Sequence, residues 1–353
     1  LKQIKNWRPV TLLSTCSRVV ERVLNGQMKR YLEAYKLLPP QQHAYRRGKS
    51  VVSAWSDLDF FVARARDEGR HMSMLAQDMS SAFDTVDASV IIPKLKMMGF
   101  EEGALSLVGN YMRGRTNRTR VQNHVTGPRH VYTGIGQGSV LGPATFLVCV
   151  LDVEVVLQRT RERVEDMFPE LKIKKDDLRL FCVGFADDIS GLVDCHDPNI
   201  MRATLTIMSE EYKKYFTAQG LKVNPDKEEH ITWAKTVAER AEVTLQGRDS
   251  TPTLKLLGIT VDNTYSFMPH AVAVTRRMME RVSYLYRVRD YVTQKVLIML
   301  LRSLLLSIAE FGIEIHGRAL AVKKKLQKTL NVALRVATHG DRMTSVCRML
   351  MDT

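Results

Sequence analysis

Apolar residues recur at three- and four-residue spacing between residues 16 and 34: Val19, Val20, Val23, Leu24, Met28, Tyr31 and Leu32. That periodicity predicts an amphipathic helix, ended by Pro39 and Pro40. Residues 51–66 repeat the pattern. The rhythm then changes. "HMSMLAQDMS" (71–80) is a short apolar run that predicts a strand closing on Asp78. Residues 88–100 and the following "EEGALSLVGNYMRGR" predict helices, and residues 119–142 a hairpin leading into a glycine-rich turn. Residues 143–158 predict one apolar helix packing through Phe146, Val150 and Leu157. In "LFCVGFADDISGLV" (180–193) two apolar runs flank two adjacent aspartates, which predicts a hairpin with Asp187 and Asp188 at its tip. A helix over 199–219, a strand at 231–234 and a strand pair over 253–262 follow, and the pattern from 271 onward is helical. Hairpin-connected strands between helical ends predict an α+β fold, an antiparallel sheet covered by helices on one face.

Charge narrows the partners. Lys and Arg number 52 against 38 Asp and Glu, a net charge of +14. Such an excess favours polyanions, nucleic acid before acidic membrane. Residues 271–353 hold fifteen Lys/Arg against six Asp/Glu, a net of +9, so the C-terminal helices form a basic surface. The five cysteines are scattered with no CxxC spacing, which points to an intracellular, reducing compartment and away from zinc. The apolar run over 296–308 is short and carries Arg302, so it reads as a core helix rather than a membrane span.

Adjacent carboxylates repel each other, and beside buried strands they also lose hydration. Alone, Asp187 and Asp188 read as a solvated turn. Together with Asp78 at the end of another strand, they form a set of oxygen ligands suited to two Mg²⁺ ions, with Mn²⁺ as the alternative. Two such ions stabilise the attacking and leaving oxygens of nucleotidyl transfer.

The order of motifs favours the second reading. "NWRPVTLLST" (6–15), "QQHAYRRGKS" (41–50), "LAQDMSSAFDTVD" (75–87), "GIGQGSVLGPATF" (134–146), "FADD" (185–188), "GLKVNPDKE" (220–228) and "LKLLGITVD" (254–262) occur in sequence. Together they resemble the motifs of reverse transcriptases of the non-LTR (LINE-like) retrotransposon family, over nearly the whole chain. The resemblance implies a right-hand polymerase, with fingers over 1–70, a palm with a fingers-like insertion over 71–268 and a basic helical thumb over 269–353.

It also implies roles. Asp78, Asp187 and Asp188 match the metal-binding aspartates. Phe83 matches the aromatic that excludes a ribose 2′-hydroxyl, which disfavours a related RNA polymerase. Gln137 and Gly138 match the turn that approaches the nucleotide, and Arg46, with Arg47 and Lys49, the loop that contacts its triphosphate. Lys227 matches a lysine that protonates the pyrophosphate leaving group. Arg113, Arg115, Arg118 and Arg120 are candidates to follow template phosphates. The partners implied are an RNA template, a DNA primer and a dNTP, with the nucleus implied by family and an organelle as the alternative. Among the departures from the family, Ala44 and Tyr45 replace Gly-Phe, Glu228 replaces a common Thr, and Gly136 replaces Pro, which is expected to loosen its turn. A second reading stays open, a domesticated relative acting as a non-catalytic RNA-binding or structural component of a ribonucleoprotein. Gly136 favours that reading and the three aspartates oppose it.

Overall fold

The computed structural model of the chain describes residues 10–77, 79–80, 82–224, 227–234, 236–341, 343–345 and 349. Two of the residues singled out above, Asp78 and Cys347, lie outside these, as does the start of the first motif, residues 6–9. The chain divides into two compact units. One comprises Leu1–His230 and Ala234–Asp249, the other Ile231–Trp233 and Ser250–Thr353.

The first unit is built on antiparallel pairing. Strand His71–Gln77 pairs with Asp188–Cys195, from His71 opposite Cys195 to Gln77 opposite Ile189. Asp188–Cys195 pairs on its other side with Leu178–Phe185. Glu229 and His230, the first residues of strand Glu229–Trp233, also belong to this unit. From Ile189 to Cys195 every residue of the central strand is buried. Helix Pro198–Ala218 covers it with Met201, Leu205, Met208, Tyr212 and Phe216, spaced three or four apart along one face. At the end of the sheet away from the aspartates, Asp194 is buried with two arginines. Arg70 Nε donates to it at 2.7 Å and Arg179 Nε at 2.9 Å. Burial of such charges is tolerable only with this degree of pairing.

Three sequence expectations are corrected. The first helix spans Thr15–Ala34, but Val19, Val20 and Val23 are each 56% exposed, and its buried residues are Glu21, Met28 and Leu32. The apolar stretch over 143–158 is not one helix. Gly142–Cys149 and Val155–Met167 are separated by a turn. Lys94 Nζ donates there to the Cys149 carbonyl and to the Asp152 carboxylate, each at 2.6 Å, and the Tyr215 hydroxyl also donates to Asp152 at 2.6 Å. These bonds reward an open carbonyl over a continued helix. The ribbon expected from 119 begins earlier, at Arg115. Arg115–Asn117 pairs with Arg129–Val131, and Arg120–Val121 with His124–Val125.

In the second unit, strands Thr253–Leu256 and Ile259–Asp262 form a hairpin. Asp262 accepts hydrogen bonds from the backbone N–H groups of Thr264, Ser266 and Phe267, and from the Thr264 and Ser266 hydroxyls. The chain is thereby turned into helix Met268–Val288, which packs on helix Leu320–Ala337. The Trp233 indole N–H donates to the Asp262 carbonyl at 2.9 Å, so residues 231–233 sort with this unit. Residues 296–308 are helical here. Among the described residues no helix is long and apolar enough to cross a membrane.

Two buried imidazoles lie against each other in this unit, His270 and His316, with ring centroids 4.7 Å apart. His270 Nδ1 accepts from the Thr260 amide at 3.3 Å, and His316 Nε2 donates to the Phe311 carbonyl at 3.1 Å. Burial first, and then the neighbouring His316, depresses His270 from an ordinary value of 6.5 to about 4. Burial also lowers His316. The unfolded chain therefore binds more protons than the folded one between these values, and stability falls as pH drops from about 6.5 toward about 4. We expect the melting temperature of the full chain, followed by tryptophan fluorescence, to fall across this window, and His270→Gln to flatten the fall. A melting temperature that ignores pH between 7 and 4.5 contradicts the buried neutral pair.

Candidate active site

Asp187 is held by a hairpin of two turn residues, Ala186 and Asp187, between the paired Phe185 and Asp188. Ala186 has φ +58°, in the left-handed region, whereas Asp187 does not have a positive φ. That conformation costs an alanine about 1–2 kcal/mol, and it is held from outside. Gln42 Oε1 accepts from the Ala186 amide at 3.1 Å and from the Ala44 amide at 3.0 Å. The His43 amide donates to the Gly184 carbonyl at 2.8 Å, and the Gly184 amide to the Gln41 carbonyl at 3.0 Å. A Cβ at Gly184 would stand 3.1 Å from Gln42 Nε2, tight enough that the Gln42 amide would have to shift. The "QQHAYRRGKS" loop is thus laced to the aspartate strand.

The loop brings Tyr45, one of the departures from the family, within the field of Asp187. Burial first, and then the Asp187 charge, raises the Tyr45 phenol above its ordinary value. Tyr45 itself has φ +59° and is 42% exposed. Arg46 is occupied. Its Nε and Nη2 each meet the Glu33 carboxylate at 2.8 Å, and Nη1 donates to the Pro39 carbonyl at 2.6 Å. The Arg46 hydrogen bond is the leading cause that lowers Glu33. Lys49 Nζ reaches the Pro40 carbonyl at 3.1 Å, while Arg47 is exposed.

Phe83, Gln137 and Gly138 come together in a second cluster. The Ile135 amide donates to the Phe83 carbonyl at 2.6 Å and the Gly134 amide to the Val86 carbonyl at 2.7 Å. The half-buried Phe83 ring stacks on Phe146, centroids 4.8 Å apart and planes at 19°. Gln137 Nε2 donates to both oxygens of Asp84 at 3.1 Å. Gly138 has φ +102°, a conformation that L side chains rarely adopt. Asp84 and Gln137 border a cavity of about 520 Å³ that also touches Tyr111, Arg115 and Ser139.

The turn is not loosened by Gly136. Thr11 N–H donates to the Gln137 carbonyl at 2.8 Å, and the Ser139 amide to the Gly136 carbonyl at 2.9 Å. A Cβ at Gly136 would lie 3.2 Å from the Thr11 side chain, so the missing side chain makes room for Thr11. Glu21, missed by the apolar pattern, accepts from the Val140 and Leu141 amides at 2.7 and 3.2 Å. It thereby supplies negative charge at the start of helix Gly142–Cys149.

Lys227 is exposed, and its amide donates to the Asn224 carbonyl at 3.1 Å. Glu228 turns the other way, its side chain wholly buried. Its carboxylate accepts from Gln77 Nε2 at 2.9 Å, Ser209 Oγ at 2.5 Å, Lys213 Nζ at 3.0 Å and Arg248 Nη2 at 2.8 Å. Burial opposes ionisation, but the bonds from Ser209, Lys213 and Arg248 outweigh it and hold Glu228 below the usual carboxylate range. The strand that precedes Asp78 is therefore tied to the segment carrying Lys227.

Among the described residues no group of three His, Cys, Asp or Glu is placed to hold a metal ion, and Asp78 is not among them. The donor chemistry still fits a hard divalent cation. Asp187 is half-exposed and Asp188 exposed at the turn. The carboxylate of Asp187 accepts no hydrogen bond from a described residue. The described ladder stops at Gln77 opposite Ile189, one residue before Asp78 and one after Asp188 in the chain.

Comparison with known proteins gives the following. The reverse transcriptase (RNA-dependent DNA polymerase) family matches residues 1–261. The probable RNA-directed DNA polymerase from transposon BS of Drosophila melanogaster is 29% identical over 289 residues, 80% of this chain and 30% of its own length. The RNA-directed DNA polymerase from mobile element jockey of the same organism is 22% identical over 332 residues, 92% of this chain and 34% of its own. The chain thus spans about a third of the length of these relatives. Telomerase from Candida albicans, solved with a TWJ fragment of telomeric RNA, is 13% identical, covering 96% of this chain and 58% of that one at a TM-score of 0.45.

Replacing Gln42 by Ala leaves the buried Ala44 and Ala186 amides without their acceptor, at a cost of about 1–3 kcal/mol. We expect faster hydrogen exchange at the Ala186 amide and a lower denaturation midpoint. Unchanged protection at Ala186 contradicts the loop's hold on the hairpin.

Proposed function

The chain belongs to the reverse transcriptase (RNA-dependent DNA polymerase) family, and from that premise we propose that it synthesises DNA on an RNA template from a DNA primer and dNTPs. The supporting observation is Asp187, presented on a rigid turn with its carboxylate oxygens unspent on described donors. A carboxylate so held against its neighbour's charge is suited to a cation.

In this reading Asp78, Asp187 and Asp188 hold the divalent ions, two Mg²⁺ with Mn²⁺ as substitute. The ions, when bound, supply the positive charge that stabilises the attacking and leaving oxygens. The primer 3′-hydroxyl gives up its proton to solvent, its oxygen bonds to the α-phosphorus, the α–β phosphoanhydride bond breaks, and Lys227 gives a proton to the departing pyrophosphate. Phe83 walls off the sugar, and its stack on Phe146 keeps the ring from yielding to a 2′-hydroxyl. Gln137, positioned by Asp84, and Gly138 receive the nucleotide. Arg46 anchors the loop through Glu33, which leaves Arg47 exposed for phosphate. The assignment extends to fingers over 1–70, palm over 71–268 and a thumb over 269–353 whose basic helices grip the duplex backbone.

The test is primer extension on RNA with Mg²⁺ and dNTPs. The parent chain should extend, and Asp187→Asn should lose about a thousandfold in rate, the equivalent of about 4 kcal/mol. Phe83→Val should raise rNTP use relative to dNTP use by roughly tenfold. No extension by the parent, with RNA binding retained, supports the non-catalytic scaffold instead. Equal use of rNTPs by the parent removes Phe83 from the sugar wall.

A further inference from the structure

The ribbon between Arg115 and Val131 has no place in the reaction just described. All residues from 116 to 130 are exposed, so neither of its faces packs on a core. Its two short ladders set Asn117 opposite Arg129, Arg120 opposite Val125 and Val121 opposite His124. From Arg113 to Tyr132 the chain carries five arginines and no Asp or Glu. The nearest acid in the sequence after the ribbon is Asp152. Of the five, Arg115 is turned inward, donating to the Gly134 and Met112 carbonyls at 2.6 and 3.1 Å. That bond fixes the base of the ribbon. Arg118, Arg120 and Arg129 form no ion pair with a described residue, and all three are exposed.

An isolated two-stranded ribbon has little stability of its own, and three unpaired guanidinium groups on it repel one another. A polyanion removes both costs, and its form is constrained by shape. The major groove of B-form DNA, about 12 Å wide, admits a two-stranded ribbon. The major groove of an A-form helix is too narrow for side chains to read. We propose that this ribbon is a docking element for double-stranded B-form DNA, a nucleic-acid partner separate from the RNA template. Arg118, Arg120 and Arg129 meet phosphates on the two sides of the groove, and the ribbon tip, with Val121, Gln122 and Asn123, enters it. The ribbon is a rail for duplex DNA, and template contacts by Arg118 and Arg120 are replaced by this role.

The test is fluorescence anisotropy of the full chain with a 30-bp DNA duplex, a 30-bp RNA duplex and a single-stranded RNA across a salt series. Nucleotides and divalent metal are omitted, so failure here is separate from failure of the polymerase reading. The triple variant Arg118→Gln, Arg120→Gln, Arg129→Gln should weaken DNA-duplex binding and make its log–log salt slope shallower by about 2 to 3, near 0.9 per phosphate contact. Affinity for both RNAs should stay within about twofold. The melting temperature should hold, because exposed substitutions of this kind change stability by within about 0.5 kcal/mol. Arg129→Gln alone should reduce the slope by about 1. Loss of equal size on all three ligands, loss confined to RNA, or an unchanged DNA slope overturns the proposal.

Discussion

A single amide oxygen, Gln42 Oε1, fixes the geometry on which the site depends. It receives the amides of Ala44 and Ala186 and so joins the loop after the first helix to the turn that carries Asp187. Ala186 occupies a left-handed conformation that its side chain disfavours. Such strain persists when the surroundings over-determine it. Here the surroundings are Gln42, the backbone bonds of residues 41 and 43 to Gly184, and the eight-residue ladder behind the turn. The result is a backbone position for Asp187 that is fixed from outside the turn.

Charge elsewhere in the first unit is arranged so that Asp187 is the exception. Asp194 is neutralised by Arg70 and Arg179, Glu33 by Arg46, and Glu228 by Lys213 and Arg248. Glu21 is satisfied by backbone amides. Buried or half-buried acids are thus answered within the protein, as desolvation requires. Asp187 has no such described partner, and its charge opposes ionisation of the Tyr45 phenol. Phe83 and Gln137 are likewise fixed by neighbours, the ring by its stack on Phe146 and the amide by its bond to Asp84.

Much of this was legible in the sequence because it is periodic or local. Two apolar runs around Asp187 and Asp188 specify a hairpin, and the structure pairs them from Leu178 opposite Cys195 to Phe185 opposite Asp188. What escaped is long-range and polar. Nothing near Gln42 in sequence signals a bond to Ala186, 144 residues away, and nothing near Glu21 signals Val140. The first helix misled in its first half because Val19, Val20 and Val23 satisfy the period yet face solvent, whereas Glu21 among them is buried. The break after Cys149 is tertiary, since Lys94 and Tyr215 claim the turn. The short helix Val237–Glu242 was missed although a local signal was present. Thr236 and Glu239 make a capping box, which the absence of a following apolar run concealed.

The claim that carries the account is that the hairpin aspartates gather a divalent cation. Paramagnetic broadening of backbone amide resonances by substoichiometric Mn²⁺ tests it most directly. The account predicts broadening centred on Ala186, Asp187 and Asp188, reaching Tyr45, reversed by excess Mg²⁺ and absent in a chain lacking the Asp187 carboxylate. Broadening that leaves these resonances sharp, or that survives loss of that carboxylate, contradicts it.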